Sequence, residues 1–253
     1  LSAKKENKNQ IKILEYRFKK NNEYLNLLKY LFNNKYANNE LIEYFKKLNW
    51  FQFNKIKISL ISFNNTFKNK SFNFKDISLG NIIFSGIYLQ NRNFNVTIKK
   101  FTNLFGCKDK IFNVTNGQNL KLVGLGENGE ILKKEEDIVE NRHKCKIEDI
   151  YLLNKKTNLK KKNLKSVKNI LKKNQIFPKI NFEIIKIISS ADHIIYGSGT
   201  QYASLFPSYL TKGLKKIILK SNAQKHYIGN IYYDKDIVKD TTENLINKFY
   251  FYF

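Results

Sequence analysis

Residues 196–213 have the sequence YGSGTQYASLFPSYLTKG, and this stretch decides the fold class because it links two predicted strands through a glycine-containing loop and a helix. DHIIYG, which begins at Asp192, is typical of a buried strand, and QKHYIGNI, which begins at Gln224, predicts a second strand. Helical spacing in NFEIIKIISSA and in LTKGLKKIILKSN predicts a helix before the first strand and another between the two. This order indicates a parallel sheet with helices on both faces. We therefore predict an α/β, Rossmann-like fold with a mostly parallel sheet.

The loop after the first strand is the predicted ligand site. Gly197 and Gly199 allow a sharp turn, at positive φ if the turn demands it, and ligands gather beyond the carboxyl ends of parallel strands. Backbone N–H groups freed by such a turn form a concavity for phosphate or carboxylate. The spacing is neither a P-loop nor a dinucleotide fingerprint, so an ordinary strand-to-helix turn stays an open alternative. The loop also carries three hydroxyl groups, an amide and a proline that favours a helical start: Ser198, Thr200, Ser204, Gln201 and Pro207.

The first part of the chain has mainly helical spacing. Apolar residues recur every three or four positions over residues 10–48, which predicts two or three short amphipathic helices. Residues 55–63, KIKISLISF, fit a half-buried strand or the end of a helix. Gly80 and Asn81 then precede an apolar stretch typical of a buried helix fed by a glycine turn. NFNVTIKKFTNLFG predicts a further helix with Gly106 as its C-cap.

Strands are predicted next, at IFNVT, LKLVGLG and IEDIYLL, with a turn at residues 127–129. Residues 154–179 then contain ten lysines and no acidic residue. Leu164, Val167 and Leu171 keep a helical stripe there, which predicts a lysine-rich helical insertion with a solvated face. A phosphate-binding face is the alternative for this segment.

The composition bounds the function classes. A net charge of +25 suggests nucleic acid as a partner, but all except three of the 46 basic residues are lysine. Base-edge and bidentate phosphate recognition favour arginine, so a nucleic-acid-binding module is the weaker alternative. No apolar run reaches the length of a membrane span, and Cys107 and Cys145 are the only thiols. We predict a cytoplasmic protein with no membrane partner, and a homo-oligomer stays open.

Other candidate groups give weaker indications. The chain contains no methionine, so we expect it to be a fragment of a longer protein. The three histidines, His143, His193 and His226, are predicted to be structural because no nucleophile lies beside them in sequence. Asp234 and Asp236 could help to hold Mg²⁺, but an exposed loop pair is the preferred interpretation.

The segment around the opening stretch resembles the C-terminal part of the CofD-like family, which groups 2-phospho-L-lactate transferases with gluconeogenesis-factor proteins. Leu79-Gly80-Asn81 resembles the family's G-N-L element, and LKLVGLGENGEIL, DIV and IEDIYLL resemble its strand pair and the strand after it. Ser198 stands where the family usually has proline, and the family's N-terminal glycine-rich loops have no counterpart. The positions that match the family's loop pattern are Gly197, Gly199, Thr200, Ser204, Pro207 and Asn230.

This resemblance implies one CofD-like domain over residues 1–253, truncated at its N-terminus. It implies a phosphorylated small-molecule ligand, a nucleotide sugar or a phospho-ester donor, with any Mg²⁺ held through the missing N-terminal region. Tyr202, three residues after Gly199, resembles the gluconeogenesis-factor form, and transferase activity of the 2-phospho-L-lactate type is the alternative, with no catalytic residue assigned. The implied ligand-binding residues are Gly80, Asn81, Gly197, Ser198, Gly199, Thr200, Gln201, Ser204 and Asn230.

Overall fold

The computed structural model describes residues 8–33, 40–69, 71–107, 110–140, 145–154, 164–230, 235–237 and 239–253. The chain forms two compact units, Leu1–Phe112 and Asn113–Phe253, which we call the N-unit and the C-unit. The assignment of residues 1–253 to one family domain stays a prediction. Within the described ranges, no helix is both long enough and apolar enough to cross a membrane.

The N-unit, as far as it is described, is helical. The short helices expected over residues 10–48 are confirmed, whereas residues 55–63 lie inside a long helix, so the strand alternative was wrong. The elements are α1 (Lys8–Glu15), α2 (Asn21–Asn33), α3 (Glu40–Lys46), α4 (Trp50–Phe67), α5 (Leu79–Asn91) and α6 (Phe94–Leu104). Gly106, at φ +64°, follows α6 as the predicted C-cap glycine.

The N-unit core depends on a close approach between α4 and α5. A Cβ on Gly86 would lie 2.0 Å from the backbone oxygen of Ser59, so only glycine fits where these helices cross. Tyr24 and Phe74 stack nearby with ring centroids 4.1 Å apart, and Tyr24 is fully buried. The close approach of Gly86 to Ser59 explains why the largely apolar α5 contains a glycine within its sequence.

The C-unit alternates short strands and helices. Its elements are β1 (Lys121–Gly126), β2 (Ile131–Leu132), α7 (Glu135–Val139), β3 (Ile147–Leu153), α8 (Leu164–Asn174), α9 (Phe182–Ser189), β4 (His193–Tyr196), a π-helical turn (Gln201–Leu205), α10 (Phe206–Tyr209), α11 (Leu214–Lys220), β5 (Gln224–Tyr227), a 3-10 turn (Lys235–Ile237) and α12 (Thr242–Tyr252). The predicted strands LKLVGLG and IEDIYLL are therefore confirmed. The predicted strand IFNVT was wrong, because only an isolated bridge, Thr115 to Ile180, forms there.

The first described sheet is antiparallel. Its order is β2-β1-β3, and Gly129, at φ +81°, makes the turn between β1 and β2. Val167 and Leu171 of α8 are buried against this sheet, as the helical stripe predicted, whereas Leu164, the third residue of that stripe, is 40% exposed. Within the predicted lysine-rich insertion, residues 155–163 lie outside the described residues.

The second described sheet is the predicted parallel pair, β4 and β5. Its register runs from His193 opposite Gln224 to Tyr196 opposite Tyr227. Tyr196 packs against aromatic side chains of α10 and α12, but Ile195 is 60% exposed, so β4 is not the fully buried strand that its composition predicted. With one antiparallel sheet and one parallel pair, the described strands do not confirm a mostly parallel sheet.

Candidate ligand-binding loop

The loop over residues 197–204 lies at the carboxyl end of β4, where the sequence predicted it. The backbone oxygen of Thr200 accepts from the N–H groups of Ser204 and Leu205, both at 3.1 Å, which starts the π-helical turn. Pro207 then occupies the first turn of α10. Within the described part of the chain, the N–H groups of Thr200 and Gln201 have no protein acceptor. Of these two donors, the N–H of the half-buried Thr200 is open to a ligand, whereas Gln201 is buried.

Asn230, which follows β5, fixes the loop that follows β4. Its side-chain nitrogen donates to the Gly199 oxygen at 3.0 Å, and its side-chain oxygen accepts from Gln201 Nε2 at 2.9 Å. Gln201 Nε2 also donates to the Gly199 oxygen at 3.2 Å. Gln201 is 1% exposed, so this contact is shielded from water. The structure thus brings together three predicted site residues that lie up to 31 positions apart.

The predicted hydroxyl groups also meet at the loop. Thr200 Oγ1 and Ser204 Oγ lie 2.7 Å apart and share a hydrogen bond, and Ser198 is exposed beside them. The glycines differ from expectation, because neither Gly197 nor Gly199 has positive φ. A Cβ on Gly197 would meet nothing within 4 Å, and one on Gly199 would make ordinary contact with Leu205 at 3.7 Å. The described fold therefore gives no steric reason for either glycine.

Two buried carboxylates, Asp236 and Asp240, hold the π-helical turn by accepting hydrogen bonds from Tyr202. The Tyr202 N–H donates to Asp236 Oδ2, and its hydroxyl donates to Asp240 Oδ2, both at 2.9 Å. Tyr202 is 0% exposed, Asp236 1% and Asp240 5%. Burial raises the pKa of Asp240, while the Tyr202 hydrogen bond and the Lys146 ammonium group, 3.7 Å away, lower it. This network anchors the loop.

Sequence reasoning missed most of that network. Asp236 was expected in an exposed loop pair, and its burial shows that this interpretation was wrong. Asp234, its expected companion, lies outside the described residues. The position of Asp236 after the second strand was visible in the sequence, but its partner Tyr202 lies 34 residues away.

The other predicted site residues, Gly80 and Asn81, lie in the first turn of α5 in the N-unit. Ser78 is the N-cap, and its side chain accepts from the Asn81 N–H at 3.2 Å. Gly80 is helical and buried, and a Cβ there would lie 2.8 Å from the Leu14 oxygen. Gly80 therefore serves helix packing within the N-unit, whereas the Asn81 residue is exposed.

Two of the three histidines that were predicted to be structural, His193 and His226, are neighbours in space. His193 Nδ1 and His226 Nε2 lie 3.1 Å apart on the exposed face of β4 and β5. Their strand positions contained this information, because both strands were predicted to be adjacent. His143 lies outside the described residues. Within the described ranges, no group of three or more His, Cys, Asp or Glu side chains is placed to hold a metal ion.

Comparison with known proteins finds a protein family whose model matches most of the chain. A family model described as "2-phospho-L-lactate transferase CofD" matches residues 4–249. Three curated relatives bear the name "Putative gluconeogenesis factor". The Thermotoga maritima protein is 28% identical over 62% of this chain and 42% of its own length. The Clostridium acetobutylicum protein is 25% identical over 63% and 32%, and the Aquifex aeolicus protein 26% over 61% and 40%.

Two crystal structures of one protein are similar to this chain in fold. Crystal structures of a Bacillus halodurans protein, described as a member of the UPF0052 family, superpose with a TM-score of 0.56 at 23% identity. The match covers 71% of this chain and 50% of that chain. The chain thus spans half or less of the length of each of these proteins.

Proposed function

This chain belongs to the 2-phospho-L-lactate transferase CofD family, and from that premise we propose that residues 197–204 bind the phosphoryl part of a small-molecule ligand. We propose a nucleotide sugar as the ligand and a regulatory role for its binding; the curated relatives' name, "Putative gluconeogenesis factor", names a factor and no reaction. The family supports a phosphorylated ligand in general, the nucleotide sugar is what the resemblance to the gluconeogenesis-factor proteins implies, and the loop supports the position of the phosphoryl group.

The two loop glycines are the observation that carries the proposal. The described fold requires neither of them, because their φ angles are ordinary and a side chain has room at both positions. A ligand that approaches the backbone closely supplies the missing reason, because any Cβ at Gly197 would occupy the ligand's space.

The donors of the loop suit an anion. The N–H group of the half-buried Thr200 is available, and the hydroxyl pair of Thr200 and Ser204 can turn a proton toward a phosphate oxygen. Asn230 and the buried Asp236 hold the loop in place, so little ordering is needed on binding. The loop is preorganised for a group that only accepts hydrogen bonds.

An amide-resolved NMR titration of the chain with UDP-glucose, and separately with pyrophosphate, tests this proposal. We expect saturable shifts at the amides of Ser198, Thr200 and Gln201 with both compounds. Shifts confined to lysine-rich α8, or none at all, would contradict the assignment. Salt separates the nucleic-acid alternative, because counterion release makes DNA affinity fall steeply with salt, whereas a loop of backbone donors loses less.

Transferase activity is the second candidate, favoured by the description of the family model. Phosphorus NMR on the same samples distinguishes the two roles. Release of a nucleotide from a nucleotide-activated donor, with the rest of the donor transferred to water or to an added hydroxyl acceptor, would assign group transfer, and binding without release in the presence of that acceptor would support regulation.

A further inference from the structure

A cavity in the C-unit, lined by residues other than those of the ligand-binding loop, has the size of a small-molecule site. Its volume is about 580 Å³, which lies within the range of roughly 300–1,000 Å³ usual for ligand pockets. Its walls come from β3, from residues 172–177 and 209–213, and from the end of α12. It shares no residue with the loop at 197–204 or with Asn230.

The walls are rich in aromatic rings that water still reaches. Phe251 is 68% exposed and Phe177 is 54% exposed, although both line the cavity. Tyr209 lines it as well, and Tyr252 is held beneath by stacking on Phe206, with centroids 4.9 Å apart. A planar apolar group placed here would cover ring surface that the protein itself leaves open.

The cavity's polar groups include an unused donor. Thr211 is 3% exposed, and its Oγ1 has no hydrogen-bond partner within the described residues. Such a buried hydroxyl destabilises the fold unless an acceptor reaches it. Lys172 and Lys212 line the same cavity. Asp149 is already engaged, since it accepts from the hydroxyl groups of Tyr151 and Tyr252.

We propose that this cavity binds a planar aromatic anion. The ring packs against Phe177, Tyr209 and Phe251. The acid group lies toward Lys172 and Lys212 and accepts from Thr211 Oγ1.

The aromatic sulfonate 1-anilinonaphthalene-8-sulfonate is a suitable probe, because its fluorescence rises when its rings leave water. We expect one saturable site with a micromolar Kd. Thr211→Val keeps the side-chain shape and removes the hydroxyl, so it should weaken binding about fivefold without lowering thermal stability. Phe251→Ala should weaken binding about tenfold and fold normally, because the ring is mostly exposed.

Two control variants make the test specific. Leu219→Ala removes another exposed apolar side chain, 62% exposed and outside the cavity, and should leave probe binding unchanged. Gly197→Ala alters the nucleotide-sugar loop and should also leave it unchanged, so failure of either proposal is visible separately. Binding that never saturates, or equal affinity in wild type, Thr211→Val and Phe251→Ala, would show that the cavity is not a site for such anions.

Discussion

Replacing Tyr202 by phenylalanine tests how the ligand loop is anchored. The substitution removes one hydroxyl group from a fully buried ring and leaves the ring's packing against Phe206 in place. The Tyr202 N–H keeps its bond to Asp236. What is lost is the 2.9 Å hydrogen bond to Asp240, whose remaining described charge partners include Lys146 at 3.7 Å and Lys248.

The expected cost follows from the charge on that acceptor. A hydrogen bond to a charged group contributes roughly 1.5–3 kcal/mol, and Asp240 is only 5% exposed, so water replaces the hydroxyl poorly. We expect the free energy of unfolding to fall by about 2 kcal/mol at neutral pH. For a chain of this size that lowers Tm by roughly 4–8 °C.

The cost should depend on pH. Burial raises the folded-state pKa of Asp240 above its unfolded value, and loss of the Tyr202 hydrogen bond raises it further. A group with a raised acid pKa is favoured in its protonated form, so stability falls as pH rises from the unfolded pKa through the folded pKa. In Tyr202→Phe that fall extends to higher pH. The variant should therefore be closer to wild type at about pH 5 than at about pH 7.5.

Chemical denaturation at both pH values measures this difference. Tyr250→Phe is the matched control, because Tyr250 is 68% exposed, and it should change stability little at either pH. If Tyr202→Phe unfolds at the same denaturant concentration as wild type at both pH values, the buried network does not anchor the loop.

Two further substitutions test the packing and the loop. Gly86→Ala places a Cβ 2.0 Å from the Ser59 oxygen, so α4 and α5 must separate, and we expect a loss of about 3 kcal/mol in thermal unfolding; unchanged Tm would contradict the close crossing. Asn230→Ala removes the side chain that holds Gly199, so hydrogen exchange at the Gly199 amide, which donates to Asn230 Oδ1 at 3.4 Å, should accelerate and stability fall by about 1–2 kcal/mol; exchange as slow as in wild type would show that Asn230 does not hold the loop.

Helical periodicity in the sequence predicted most of the helices. The error at residues 55–63 came instead from a short alternation of charged and apolar residues. KIKISLISF alternates charged and apolar residues at its start, which favoured a strand. The same segment also carries Ile56, Leu60 and Phe63 at helical spacing, and these are the side chains that α4 buries. The longer pattern was the reliable one, because alternation over four residues fits either structure.

Burial of the parallel strands could not be predicted from their composition. The apolar DHIIYG indicated a strand covered on both faces, and β4 does pair in parallel with β5. However, Tyr196 is covered by aromatic rings, whereas Ile195 is not. Which face is covered depends on elements distant in sequence, such as α12, and no local pattern contains that information.

The candidate site was predictable to the extent that it is local. The loop and Asn230 follow the ends of two adjacent strands, which is why their meeting could be expected. Tyr202 and its two aspartates meet over 34 and 38 residues, with no spacing rule to link them. The sequence also could not show that the loop glycines have ordinary φ angles and room for a side chain. Glycine in a sequence does not distinguish a turn from a ligand contact.

The affinity of Gly197→Ala for UDP-glucose, compared with wild type, tests the central claim most directly. Residue 197 has ordinary φ and open space for a Cβ, so alanine should leave the fold intact and raise stability by about 0.4–1 kcal/mol through the unfolded state. If the loop binds the phosphoryl group, the added methyl should weaken binding at least about tenfold, or about 1.4 kcal/mol. A variant that is equally stable or more stable and binds UDP-glucose as tightly as wild type would contradict the assignment of this loop as the ligand site.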